Sequence, residues 1–106
     1  QDMLAQKIAR LHCLAEGGES SAQYELGLFY RDGFGVEHDL SRAFYWLEKA
    51  ALQGHAEASY ALAMLYAEYE ESDKALHWIS VAAKHGHDKA NHVYDYMLTH
   101  DFGYGC

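Results

Sequence analysis

The sequence has no proline, only two cysteines in 106 residues, and half as many basic side chains as acidic ones. Without proline, no helical segment is forced to end or kink at a residue lacking a backbone N–H. The two cysteines, Cys13 and Cys106, fall near opposite ends of any stack of helices, whereas a disulfide needs Cα atoms within about 7 Å. No internal bridge is expected; Cys13 reads as a small buried thiol and Cys106 as an exposed tail thiol. Eight Lys and Arg against sixteen Asp and Glu give a formal charge of -8. That balance argues against nucleic acid or an anionic membrane as partner, since both reward clustered cations. No apolar run approaches the roughly 18 residues of a bilayer span, so membrane insertion is not expected. No secretory signal is visible in a chain that opens at Gln1, and nothing in the residues assigns a compartment.

Half the residues are apolar and 14% are aromatic, enough for a modest core. They are arranged in a repeat. Ala22, Tyr24, Leu26 and Tyr30 return as Ala58, Tyr60, Leu62 and Tyr66, a shift of 36. Ala43, Trp46, Ala50, Ala51, Gly54 and His55 return as Ala75, Trp78, Ala82, Ala83, Gly86 and His87, a shift of 32. The difference places a four-residue deletion between the two sets. Self-similarity at this period marks a repeat protein made of two-helix units.

Helical periodicity fills almost every segment. Met3, Leu4, Ile8, Leu11, Leu14 and Ala15 recur at spacings of three and four, which predicts an amphipathic helix over 3–16. Gly17-Gly18 closes it with a residue free to turn left-handed. Ser20 and Ser21 then offer cap oxygens to a helix over 21–31. The Asp32–His38 segment breaks the pattern, and Asp39 caps a helix running to about Gln53. Further helices are expected near 56–68, 73–85 and 88–99. Short connections between them imply αα-hairpins. The small residues at 22, 50, 51, 58, 82 and 83 let helix axes approach, and Gly27 predicts a tight crossing. Tyr30, Trp46, Tyr66 and Trp78 are the bulky residues that fill gaps.

Residues 22–54 carry Ala22, Leu26-Gly27, Tyr30, Gly33-Phe-Gly35-Val36, Asp39, Arg42-Ala43, Trp46, Lys49-Ala50-Ala51 and Gly54 in order. This pattern resembles the Sel-one-like repeat, a relative of the tetratricopeptide repeat; only Arg42 departs from it, where the pattern has lysine. The resemblance implies an all-α fold, a right-handed α-solenoid of antiparallel helix pairs. Residues 1–106 form one repeat domain on this reading: a half unit over 1–21, a full unit over 22–57, a shortened unit over 58–89 and a half unit or cap over 90–106. Gly103-Tyr104-Gly105 echoes Gly33-Phe34-Gly35, whereas Asp95 stands where Gly27 and Ala63 do.

Candidate chemistry is sparse. His85, His87, Asp88 and His92 cluster at a helix break, but a zinc site needs three or four converging ligands and this spacing brings only two together. His55 and His87 occupy the residue after the unit-ending glycine, where the resemblance implies polar N-caps. Gly33-Phe34-Gly35 follows a helix rather than a strand and lacks the third glycine of a dinucleotide loop. Ser80 and Lys84 are four apart, so there is no S-x-x-K, and no G-x-S-x-G or H-E-x-x-H occurs. No enzyme, cofactor or metal site is expected.

In hairpin arrays the first helices of successive units line a concave face. The ladders Tyr24/Tyr60/His92, Leu28/Met64/Tyr96 and Arg31/Ala67/Thr99 are therefore candidate positions for holding a partner. The same tyrosines and aliphatic residues serve equally as core. The acidic run Glu68–Asp73 reads as solvated surface or as a selector of a basic segment. The resemblance implies a non-enzymatic adaptor that binds a protein or peptide. The alternatives are a spacer that self-associates through its end units, or a hydrolytic or metal-binding protein built on the histidines.

Overall fold

A computed structural model describes residues 3–90, 92 and 93 of the chain. These residues are helical apart from short turns, in two compact units whose boundary falls between Gln53 and Gly54.

The first unit holds α1 (Met3–Glu16), α2 (Ser20–Asp32) and α3 (Leu40–Leu52), with α2 packed on both neighbours. Ile8, Leu11 and Ala15 form the buried stripe of α1. Its end is a Schellman turn: the Gly18 N–H donates to Ala15 O at 3.0 Å and the Glu19 N–H to Leu14 O at 3.1 Å. Gly18 takes φ 101° there. α2 begins one residue earlier than the periodicity indicates. Its N-cap is Glu19, without a side-chain cap bond, and the Glu19 carbonyl accepts from the Gln23 N–H at 3.0 Å. Ser20 and Ser21 thus lie inside the helix instead of capping it.

Gly27 sits where α2 meets α3. A Cβ placed there would lie 2.8 Å from Leu47 Cγ, so only hydrogen fits without a shift. The helix closes at Gly33, and the loop then folds back on α1. A Cβ at Gly35, whose φ is 77°, would meet Ile8 Cδ1 at 2.5 Å. Asp39 opens α3 by accepting from the Arg42 N–H at 3.2 Å. Asp39 itself is tied to the end of α2 by its N–H donating to Tyr30 O at 3.1 Å.

The second unit holds α4 (Ala56–Glu68) and α5 (Ser72–Lys84), packed as a hairpin, and residues 88–90, 92 and 93 are helical. Ala63, Ala75, Ile79, Ala82 and Ala90 form its centre, with Tyr60, Met64, Tyr66 and Trp78 packed around them. The four-residue deletion is absorbed by a second type of connection. Glu70 N–H donates to Ala67 O at 3.1 Å and Glu71 N–H to Tyr66 O at 2.9 Å. This is again a Schellman turn, with Glu70 in the left-handed position at φ 62°.

Cys13 corrects an expectation. It is a free thiol on the exposed side of α1. At 100° per residue it points away from Leu11 and Ala15, which take the buried stripe. The readings that involve Asp95, Tyr96, Thr99, Gly103-Tyr104-Gly105 and Cys106 lie outside the described residues.

Candidate functional site

The first helix of each repeat, α2 in one and α4 in the next, carries the predicted positions Tyr24, Leu28, Arg31, Tyr60 and Met64. Tyr24, Leu28 and Arg31 follow one another at four and three residues along α2, so they share a face, as Tyr60 and Met64 do along α4. All five are half-buried and His92 is exposed; Tyr96 lies outside the described residues. The half-burial is specific. Met64 and Tyr60 lean on the centre of the second unit, leaving part of each side chain uncovered. Arg31 donates from Nε to Asp32 Oδ1 at 2.9 Å and from a terminal nitrogen to Oδ2 at 3.1 Å. That bidentate bond holds the Asp32 carboxyl below the usual carboxylate range.

Tyr60 has a partner that lies 27 residues away. Its ring stacks on the His87 imidazole at 4.5 Å between centres and 13° from parallel. His87 is fixed by three neighbours. Its Nδ1 accepts from the Ala90 N–H at 3.1 Å, capping the helix that starts at residue 88. Its Nε2 lies 3.1 Å from Glu57 Oε1, off the direction of a hydrogen bond. Glu57, Tyr60, His87, Asp88 and Lys89 line a shallow open cleft of about 400 Å³.

His55 repeats the cap. Its Nδ1 accepts from the Ala58 N–H at 3.1 Å. Burial of the imidazole lowers its pKa below the ordinary 6.5, while the Glu57 charge pulls the other way. Both imidazoles therefore spend a ring nitrogen on a helix N-terminus. Among the described residues no three His, Cys, Asp or Glu side chains are arranged to hold a metal ion.

Two features of the first unit escape a reading by pattern. His12 Nε2 lies 2.9 Å from Tyr30 Oη, and the imidazole stands edge-on to the rings of Tyr30 and Trp46. Gln23 is buried, at 1% exposure; its Nε2 donates to Ala15 O at 3.0 Å and its Oε1 accepts from Gln53 Nε2 at 2.9 Å. The register marks position 23 only as equivalent to another buried polar residue and does not indicate its partners. Its equivalent 36 residues on is Ser59, also buried and polar, with its Oγ donating to His55 O at 3.2 Å.

The framework positions are mostly internal. Ala22, Leu26, Tyr30, Ala43, Trp46, Ala50 and Ala51 are buried in the first unit, and Ala58, Leu62, Ala75 and Ala82 in the second. Tyr66, Trp78 and Ala83 are half-buried.

Comparison with known proteins agrees with this geometry. The Sel1 repeat family matches residues 20–55 and 56–87. A Sel1 repeat protein from Oxalobacter formigenes superposes with a TM-score of 0.84 at 26% identity, over 92% of this chain and 42% of that one. The protective antigen c5321 of uropathogenic Escherichia coli, which displays an SLR fold, gives 0.83 at 33% identity over 89% of this chain and 21% of that one. The chain thus spans less than half the length of either structure. No curated protein sequence matches it. The fold is all-α, a helical-repeat α-solenoid. With two matched repeats and most of their small and aromatic framework residues packed inside, the chain belongs to the Sel1 repeat family.

Proposed function

We propose that the chain is a non-catalytic adaptor that binds a protein or peptide along the first helices of its repeats. The carrying observation is the matched half-burial of Tyr24, Leu28 and Arg31 on α2 and of Tyr60 and Met64 on α4. A side chain anchored on its inner side and open on its outer side offers contact area at little cost in rotamer entropy. Tyrosine and methionine are the residue types that make such contacts count. The membership of a repeat family whose framework is spent on packing supports the same reading, because the remaining variable surface is what such folds use. His92 and Tyr96 extend the ladder in register.

A peptide-display library selected on the immobilised chain tests this. Wild type is expected to enrich a family of related peptides. Tyr24→Ala with Tyr60→Ala, shown folded by circular dichroism, is expected to bind those peptides at least about tenfold more weakly. Peptides indifferent to both substitutions would place the binding surface elsewhere.

A further inference from the structure

One buried hydrogen-bonding group in the second unit is left over. The His87 side chain is only 6% exposed, and its Nδ1 is spent on the Ala90 N–H. In the neutral imidazole the proton then sits on Nε2, which makes that nitrogen a donor. It has no hydrogen-bond acceptor among the described residues. The Glu57 Oε1 oxygen stands 3.1 Å away but off its line. A buried donor in this position carries the cost of its lost water without a return. Glu57 is exposed and can re-aim by rotation about its side-chain bonds.

Both groups line the cleft of about 400 Å³, between the first turn of α4 and residues 86–89. Both walls belong to the second unit. Position 57 corresponds to Ser21 one repeat earlier, so the carboxylate is particular to this cleft and is no part of the repeat pattern.

The lining sorts the ligand chemistry. A cation pairs with Glu57 but sets positive charge against the His87 N–H. An anion accepts from that N–H but meets Glu57 and Asp88. A hydroxyl donates and accepts through one oxygen, which would serve two atoms 3.1 Å apart at a sharp angle. A carboxamide carries its N–H donor and its carbonyl acceptor side by side on one edge. That edge matches an acceptor and a donor set side by side, with the half-buried Tyr60 ring as an apolar wall. Asp88 and Lys89, both exposed, offset each other in charge.

We infer that this cleft holds a side-chain carboxamide, from a glutamine or asparagine of the bound protein or peptide. Glu57 accepts from its NH2 group, and the His87 Nε2–H donates to its oxygen. The inference deepens the adaptor reading, on which the identity of the ligand as part of a protein rests, since Tyr60 belongs to both.

The probes are N-acetyl-glutamine, N-acetyl-glutamate and N-acetyl-arginine, each as its N-methylamide, titrated into the isotope-labelled full chain and followed by NMR. All three carry the same main-chain amides, whose trans N–H and C=O point in opposite directions, so a preference reports the side chain. Contact through one side chain is weak, with a Kd of about 1 mM or above. The glutamine probe is expected to move the amide signals of Glu57, Gly86 and Ala90 and to bind at least about fivefold more tightly than the others. His87→Asn keeps an N-cap acceptor but lacks the Nε2–H. Glu57→Ala removes the other partner at an exposed position. Each variant, checked by circular dichroism, is expected to lose the preference. Equal binding of the three probes, no binding of any, or a glutamine preference that survives both substitutions would overturn the proposal. Peptide display reads the adaptor separately: enriched peptides without a glutamine preference in the cleft overturn only the carboxamide inference. A bound glutamine probe without enriched peptides supports the cleft and counts against the adaptor.

Discussion

Arg42 stands over the face of Tyr30, with its guanidinium carbon 5.7 Å from the ring centre. Lys74 holds the equivalent place over Tyr66, its Nζ 5.6 Å from that ring. The one framework position at which the first repeat departs from its pattern thus keeps its physical task, since either cation is attracted by the negative face of a tyrosine. Arg42 also reaches Asp39 Oδ2 at 3.3 Å. The Asp39 carboxylate caps α3 through the Arg42 N–H, so the helix start, the cation and the ring form one assembly.

Arg42→Lys is expected to leave stability nearly unchanged, because the second repeat is built that way. Arg42→Gln should lower it by about 0.5–1 kcal/mol, the size of an exposed cation–π contact. Urea unfolding followed by circular dichroism reads the difference. Equal losses for the lysine and glutamine variants would show that the ring takes no part.

Glu70 marks the place where the shortened repeat is under strain. A side chain at φ 62° is crowded by its own backbone, and the corresponding turns use Gly18 and Gly86. Glu70→Gly is expected to stabilise the protein by roughly 1 kcal/mol, and the change also relieves repulsion from Glu68, Glu71 and Asp73. The reciprocal change, Gly86→Ala, should destabilise even though nothing lies within 4 Å of its Cβ, since its φ is 86°. Thermal unfolding of both variants checks the pair; a lower melting temperature for Glu70→Gly would refute the strain argument.

Gly27 and Leu47 test close approach in the first unit. In the second unit the same two positions hold Ala63 and Ile79, both fully buried. Gly27→Ala alone should cost about 1–3 kcal/mol through overpacking against Leu47. Combined with Leu47→Ile, it copies the pair that the second unit accommodates, and part of the loss should return. A double-mutant cycle measures that coupling. Strictly additive losses would mean that the backbone, rather than Leu47, sets the fit.

These pairs also show why some of the molecule was readable in the residues and some was not. Helix bounds were legible to within a residue because Gly18, Gly33 and Asp39 act locally. The repeat itself was legible because Ala22, Ala43, Ala50 and their equivalents are constrained by packing, which leaves a periodic trace. Glu19 in place of Ser20 as N-cap was not legible, because either residue can open a helix and the choice rests on how the preceding turn closes. Cys13 was misplaced because a free thiol is among the side chains most often buried, although the spacing of Ile8, Leu11 and Ala15 already sets position 13 on the opposite face of α1. Tyr60 on His87 and Gln23 between Ala15 and Gln53 were out of reach for a different reason. They join a helical residue to one in a turn or cap 27 to 30 residues further on, and no local spacing encodes such a pairing. The candidate binding face lay in between: its register was readable, whereas the half-burial of Tyr24 and Met64 required the packed helices.

The imidazole cap of His55 is expected to make stability sensitive to acid, and its burial gives the sign. Its Nδ1 can accept from the Ala58 N–H only when it carries no proton. In the folded chain burial keeps its pKa below 6.5, the value expected when unfolded. Above pH 6.5 both states are neutral and the cap contributes fully. As pH falls below 6.5 the unfolded chain takes up a proton that the folded one resists, so stability declines. The decline is complete once the pH has passed below the folded pKa. Asparagine is also a strong N-cap and does not titrate in this range. His55→Asn is therefore expected to match wild type near pH 8 and to lose less melting temperature between pH 7 and pH 5. Parallel profiles for the two proteins would show that the acid sensitivity arises at other groups.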